Sequence, residues 1–271
     1  MTKRFQFIHR NWFRIFAGGL ILFIATEQAL KFTSNPNFFP TVILLGALIV
    51  PVTFVAYIYE RVRAKEVPLS CLLICFLGGG TVGLIAAGLL EFKTLTGLSI
   101  LGLFGVGLIE EGAKLIFPMI QYVRGRYRSE ADGLLFGVAS GMGFAALETM
   151  GYGLVTLIKS QGNIGALEEV LLIRGLLSPA GHAAWTGLVC AVLWREHYEK
   201  GRGIVNLAIV GTFILAVVLH ALWDIINSMG GPTVTAWIIV ITGNLAITAV
   251  SLTLLIRRVR EAVRYGEVST S

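Results

Sequence analysis

Residues 100–124 read ILGLFGVGLIEEGAKLIFPMIQYVR, and this stretch decides the class of the chain. It is long and apolar enough to cross a bilayer, for which a helix takes about 20 residues. Yet Glu110, Glu111 and Lys114 stand in its middle. A charged side chain at the bilayer centre costs roughly 2.5–3.5 kcal/mol on insertion scales. A membrane helix keeps such groups where they face a polar interior, pair with one another, or act on a substrate or ion. Further along, Glu148, His182, His220 and Asp224 interrupt three more apolar stretches. Together the seven residues point to an active site inside the membrane.

The composition agrees with that class. Apolar residues make up 55% of the 271 positions and charged residues 14%, with mean hydropathy +0.78. A soluble globular domain, with charge near 25%, is excluded. The apolar runs predict an all-α polytopic membrane protein of about eight spans in one bundle, near 12–32, 39–59, 69–90, 97–123, 133–158, 179–195, 203–228 and 233–256. Residues 1–95 read as scaffold helices, 96–228 as a four-helix catalytic core, and 229–271 as a final span with a basic tail.

Basic residues alternate from loop to loop. Lys3, Arg4, Arg10 and Arg14 precede the first span, and Arg61, Arg63 and Lys65 follow the second. Arg124, Arg126 and Arg128 follow the fourth, Arg195, Lys200 and Arg202 the sixth, and Arg257, Arg258, Arg260 and Arg264 the eighth. The other loops hold only Lys31, Lys93, Lys159 and Arg174. Basic loops face the cytoplasm, so both termini are expected there. The positive charge orients the protein in lipid, and nucleic acid is excluded as a partner because no folded domain carries a basic face. The first apolar run contains Glu27 and no small-x-small cleavage site, so it reads as a retained helix. Cys71, Cys75 and Cys190 read as small apolar core residues.

Several local expectations follow. LEEVLLIRGLL, within the external segment 159–178, has the pattern of an interfacial helix lying on the outer surface. Its Glu168 and Glu169 read as a solvated face, and Glu27 receives no role. The five tryptophans, Trp12, Trp185, Trp194, Trp223 and Trp237, are expected to include interface anchors. Gly-rich GGGTVGLIAAG (78–88) permits close helix approach.

Depth decides whether the polar residues can meet. At ~1.5 Å per residue from the cytoplasmic end of each span, Glu110, Glu148, His182 and His220 all lie about 20–24 Å deep. Lys114 stands at i+4 from Glu110 and i+3 from Glu111, within reach of both. His220 and Asp224 share a helix face, as do Phe144 and Glu148. Adjacent glutamates point about 100° apart. One can face a cavity while Lys114 holds the other, which suits the free one to act as a general base on water.

EEGAK (110–114), FAALE (144–148), GHAAW (181–185) and HALWD (220–224) resemble the motif set of the PrsW family of intramembrane proteases, a branch of the wider group that includes the type II CAAX prenyl endopeptidases. The wider group has a longer EExxxR motif, histidine where Glu148 stands and asparagine where Asp224 stands, so the departures favour the PrsW branch. The resemblance implies an intramembrane endopeptidase in a bacterial or archaeal plasma membrane. Its substrates would be single-pass membrane proteins such as anti-sigma factors. Glu110 would polarise the attacking water, with Glu111 in support and Lys114 as counter-ion. His220 and Asp224 would stabilise the oxyanion or orient the water, and Glu148 and His182 would complete the cavity.

Zinc is one alternative, at Glu110, Glu148, His182 and His220. The HExxH spacing is absent, and chemistry without a cofactor is favoured. Two other functions remain beside proteolysis. One is a proton-coupled transporter, which needs polar steps along the membrane normal; the other is a non-catalytic factor that binds a membrane partner.

Overall fold

The computed structural model describes residues 10–62, 67–94 and 100–268. Lys3, Arg4, Arg63 and Lys65 of the orienting charge, and the start of the expected fourth span, lie outside them. The described residues form helices α1 (Asn11–Thr33), α2 (Phe39–Val62), α3 (Gly79–Thr94), α4 (Ile100–Lys114), α5 (Ile116–Arg124), α6 (Glu130–Lys159), α7 (Ile164–Leu177), α8 (Ala184–Trp194), α9 (Leu207–Ser228) and α10 (Val234–Val268). A short helix, Leu69–Leu73, and a π-helical turn, Ile74–Gly78, lead into α3. Similar π-helical turns flank α8 at Pro179–Ala183 and Arg195–Glu199.

Among the described residues, seven stretches are long and apolar enough to span a membrane: Asn11–Thr33, Pro36–Val62, Leu69–Leu90, Glu130–Lys159, Ile164–Glu199, Leu207–Ser228 and Val234–Arg264. The protein is an all-α polytopic membrane protein. The span expected over 97–123 is built from two shorter helices, α4 and α5, that meet at Leu115. The reason lies three residues on. Pro118 has no N–H to offer the Lys114 carbonyl one turn back, and Ser140 of α6 supplies a donor instead, its hydroxyl 2.6 Å from that carbonyl.

At the centre of the bundle lies α6. Its N-terminus is closed by a capping box, Ser129 accepting from the Asp132 N–H and Asp132 from the Ser129 N–H. Gly133, Gly137 and Gly141 recur every fourth residue and form one bare stripe. Along it the opposing chain passes so closely that a methyl group would strike Trp194, Thr186 and the His182 carbonyl respectively. Helices in lipid associate through small residues in this way. On another face, Gly79 and Gly80 at the start of α3 press on Ser140 and Gly143, as the Gly-rich text predicts.

The stretch 164–177 departs from expectation. It is no surface-lying helix: α7 runs antiparallel to α6 and packs between α6 and α2. Leu167 and Leu171 are buried beside Gly153 and Ile43, and a methyl group added at Gly175 would stand only 3.9 Å from the Gly46 carbonyl. Those small residues admit the helix to the bundle, and α7 continues through the Pro179–Ala183 turn into α8 as one kinked span. Glu168 is likewise no solvated bystander. It pairs with Lys31 at 2.8 Å, and Lys31 also binds the buried Glu27.

Trp185 and Trp194 prove to be core residues, donating to Ser251 and to the Tyr127 carbonyl, while Trp237 is exposed. All three cysteines are free, with Cys75 and Cys190 buried. At the basic end of the bundle, Arg258 pairs with Glu130 and Arg195 with Glu261. Lys200 and Arg202 both meet the buried Glu196.

Candidate active site

Lys114 is the hub. Its side chain is fully buried at the end of α4, and an ammonium has three protons to place. All three are placed: on Glu110 at 3.1 Å, Glu111 at 2.8 Å and the Nδ1 of His182 at 2.8 Å. The ring of Phe144 lies under the charge, 4.3 Å from its centroid. The backbone of Lys114 is held by Ser140, so the break after α4 and the seat of the ammonium share one cause.

Glu111 is closed from every side. Its Oε1 meets Lys114 and the Nδ1 of His220, each at 2.8 Å, and its Oε2 accepts from the Thr186 hydroxyl at 3.2 Å. Three helices, α4, α8 and α9, thus converge on one carboxylate. Glu110, one residue away, turns to the open side. Its Oε2 lies 3.1 Å from Lys114 and 3.5 Å from the Nε2 of His220, and its side chain keeps 11% exposure against 0% for Glu111.

The two histidines have their protons assigned by partners. An ammonium can only donate, so the Nδ1 of His182 accepts and its Nε2 carries the proton, 3.1 Å from a Glu148 oxygen. A carboxylate can only accept, so the Nδ1 of His220 donates to Glu111. The Nε2 of His220 then faces Glu110 at 3.5 Å and Asp224 at 3.6 Å. The indole of Trp185 covers the His220 ring at 5.0 Å.

Glu110, Glu111, Lys114, Phe144, Glu148, His182, His220 and Asp224, all expected at the site, therefore lie in one connected cluster. Four further residues belong to it that sequence reasoning passed over: Ser140, Thr186, Arg174 and Tyr152. Arg174, read as a loop residue, sits in α7 and reaches Glu148 at 2.6 Å with its guanidinium over the Tyr152 ring. Its signal was present, as an ionisable residue inside the apolar run VLLIRGLL. Nothing distinguishes Ser140 and Thr186 from ordinary helix hydroxyls until the helices are packed.

A metal does not fit these side chains as they stand. Glu110, Glu148, His182 and His220 share no focus: His182 spends both nitrogens on Lys114 and Glu148, and His220 spends its Nδ1 on Glu111. The place where a cation would bridge Glu110, Glu111 and His182 holds the Lys114 ammonium. Among the described residues, no group of three or more His, Cys, Asp or Glu side chains is arranged to hold an ion.

The family model for PrsW family intramembrane metalloproteases matches residues 67–254. The chain belongs to the PrsW family. The match runs from ahead of α3 into α10 and takes in every residue of the cluster, leaving α1 and α2 outside. No curated protein and no solved structure matched the chain. The protein is a multi-pass intramembrane protease, and its stretches EEGAK, FAALE, GHAAW and HALWD, all within the matched region, meet at the buried polar cluster.

Proposed function

We propose that the protein hydrolyses peptide bonds of membrane proteins with a water molecule activated by Glu110. The observation that carries this is the unequal fate of two adjacent carboxylates. Glu111 is spent on Lys114, His220 and Thr186, whereas Glu110 keeps an accessible edge beside the Nε2 of His220. Water bound at that edge attacks the carbonyl carbon of the scissile bond and gives its proton to Glu110. The carbonyl oxygen becomes an oxyanion, which His220 in its imidazolium form stabilises by donating from Nε2. As the C–N bond breaks, the proton passes from Glu110 to the leaving nitrogen, giving a new carboxyl terminus and a new amino terminus. Asp224 orients the water or the His220 ring from the open side. Surroundings poor in water strengthen each of these contacts.

The substrates are single-pass membrane proteins, anti-sigma-factor-like in design, in the plasma membrane of a bacterium or archaeon. The buried position of the cluster supports this reading, since only a segment entering the bundle can reach it. No step of the hydrolysis is routed through a metal, and chelation should leave the rate unchanged. The test compares amino termini across the membrane proteome in cells carrying wild type or Glu110→Gln at equal abundance. New termini inside single-pass proteins, present with wild type alone, are expected. Identical termini in both strains would overturn the proposal.

A further inference from the structure

Arg174 is the one cation of the cluster that the hydrolytic scheme leaves without work. It sits in α7, the helix ahead of the kink, and its side chain is 26% exposed. Its guanidinium is held three ways: Nε donates to the Thr149 hydroxyl at 3.3 Å, an Nη pairs with Oε2 of Glu148 at 2.6 Å, and the central carbon lies over the Tyr152 ring, 4.0 Å from its centroid. All three partners lie within one turn of α6. The Oε2 of Glu148 that pairs with Arg174 also lies 3.1 Å from the Nε2 of His182. The other nitrogen of that ring holds Lys114, and Lys114 holds Glu110 and Glu111.

A line of charge-assisted contacts therefore runs from Arg174 through Glu148 and His182 to Lys114 and Glu110. Each link fixes the next. Glu148 is pinned at one oxygen by a guanidinium whose own orientation is fixed by Thr149 and Tyr152. The carboxylate in turn lies 3.1 Å from the Nε2 of His182, where its charge favours the tautomer and ring orientation that Lys114 requires. His182 has particular need of an outside support. It lies inside the Pro179–Ala183 turn, beside Gly181, whose φ of −97° and ψ of −106° interrupt the helix. Its backbone is thus poorly suited to fix the ring alone.

We infer that Arg174 is a positioning residue of the protease, setting His182 through Glu148 and so holding Lys114 against the Glu110–Glu111 pair. This rests on the reading of Glu110 as the group that activates water. The alternative role is a plain ion pair tying α7 to α6. The two differ in what a lysine can restore and in how losses combine. Lysine keeps the charge of Arg174 but lacks the planar fork that meets Thr149 and Glu148 together.

The experiment measures how fast the termini that wild type generates, and Glu110→Gln does not, accumulate in cells carrying Arg174→Met, Arg174→Lys, Glu148→Gln and the double variant Arg174→Met/Glu148→Gln. Purified samples of each provide the melting temperature. Displacing a reacting group by about 1 Å costs on the order of 100-fold in rate, and Arg174→Met should lose on that order. Arg174→Lys should recover only part, and the double variant should be no slower than Glu148→Gln alone. Losses that multiply in the double variant, or rates that track melting temperature and are fully restored by lysine, would reduce Arg174 to a packing contact. An Arg174→Met variant as fast as wild type, with Glu110→Gln inactive, would overturn this inference and leave the hydrolytic proposal standing. An active Glu110→Gln would instead strike the proposal beneath it.

Discussion

Lys114 shows why a buried charge persists in a membrane helix. Three acceptors meet its three protons, so it is a satisfied charge, and removing the ammonium leaves two neighbouring carboxylates without their cation. Breaking a buried pair costs about 3–5 kcal/mol. Lys114→Met should therefore destabilise the protein by that amount and abolish cleavage, as thermal unfolding and the amino-terminal assay would report. A variant of native stability would mean that water, not Lys114, screens the glutamates. Thr186→Val is milder. It leaves Oε2 of Glu111 without its hydroxyl donor, for which about 1–3 kcal/mol is usual, and loss of His220 alignment should accompany it as a reduced rate. Much of this level was legible beforehand. A fixed rise per residue puts Glu110, Glu148, His182 and His220 at one depth whatever the packing. The partners Ser140, Thr186 and Arg174 were not, because a hydroxyl or a cation acquires its role from the helix opposite, and spacing within one helix says nothing of that.

Between elements, two features place the cluster: the proline-driven break after α4 and the glycine stripe of α6. The first predicts that Ser140→Ala, which orphans the Lys114 carbonyl, lowers stability by about 1–3 kcal/mol and slows cleavage, although Ser140 touches no reacting group. The second predicts a contrast among glycines. Gly137→Leu should push α8 off α6, carrying Thr186 away from Glu111, with loss of both stability and activity. Gly151→Ala and Gly211→Ala, where an added methyl meets nothing within 4 Å, should be neutral in the same unfolding and cleavage measurements. Equal tolerance at Gly137 would contradict the close packing. At this scale sequence patterning misread 164–177. Its charges and apolar residues suit a surface helix, but Gly46, Gly153 and Gly175 belong to separate elements, and their shared clearance for α7 emerges only in three dimensions.

Over the whole molecule, charge sets direction. The basic ends of α2, α5, α8 and α10 lie at one side of the bundle, where Arg258 meets Glu130 and Arg195 meets Glu261. The positive-inside rule assigns that side to the cytoplasm. In a Cys71→Ser background, a cysteine at Gln161, in the turn between α6 and α7, should react with a membrane-impermeant maleimide on intact cells. One at Gly203, between α8 and α9, should react after permeabilisation alone. The reverse pattern would invert the protein. With this orientation α7 descends from the outer surface toward the cluster, so Arg174 lies on the outer side of His182.

The central claim is a division of labour between neighbouring glutamates, and it is tested most directly by measuring substrate cleavage by purified, folded Glu110→Gln beside Glu111→Gln, with the unfolding transition of each. The account predicts that Glu110→Gln melts close to wild type and cleaves nothing, while Glu111→Gln is destabilised as Lys114 and His220 lose their shared carboxylate. Cleavage by Glu110→Gln at a rate near wild type would contradict it.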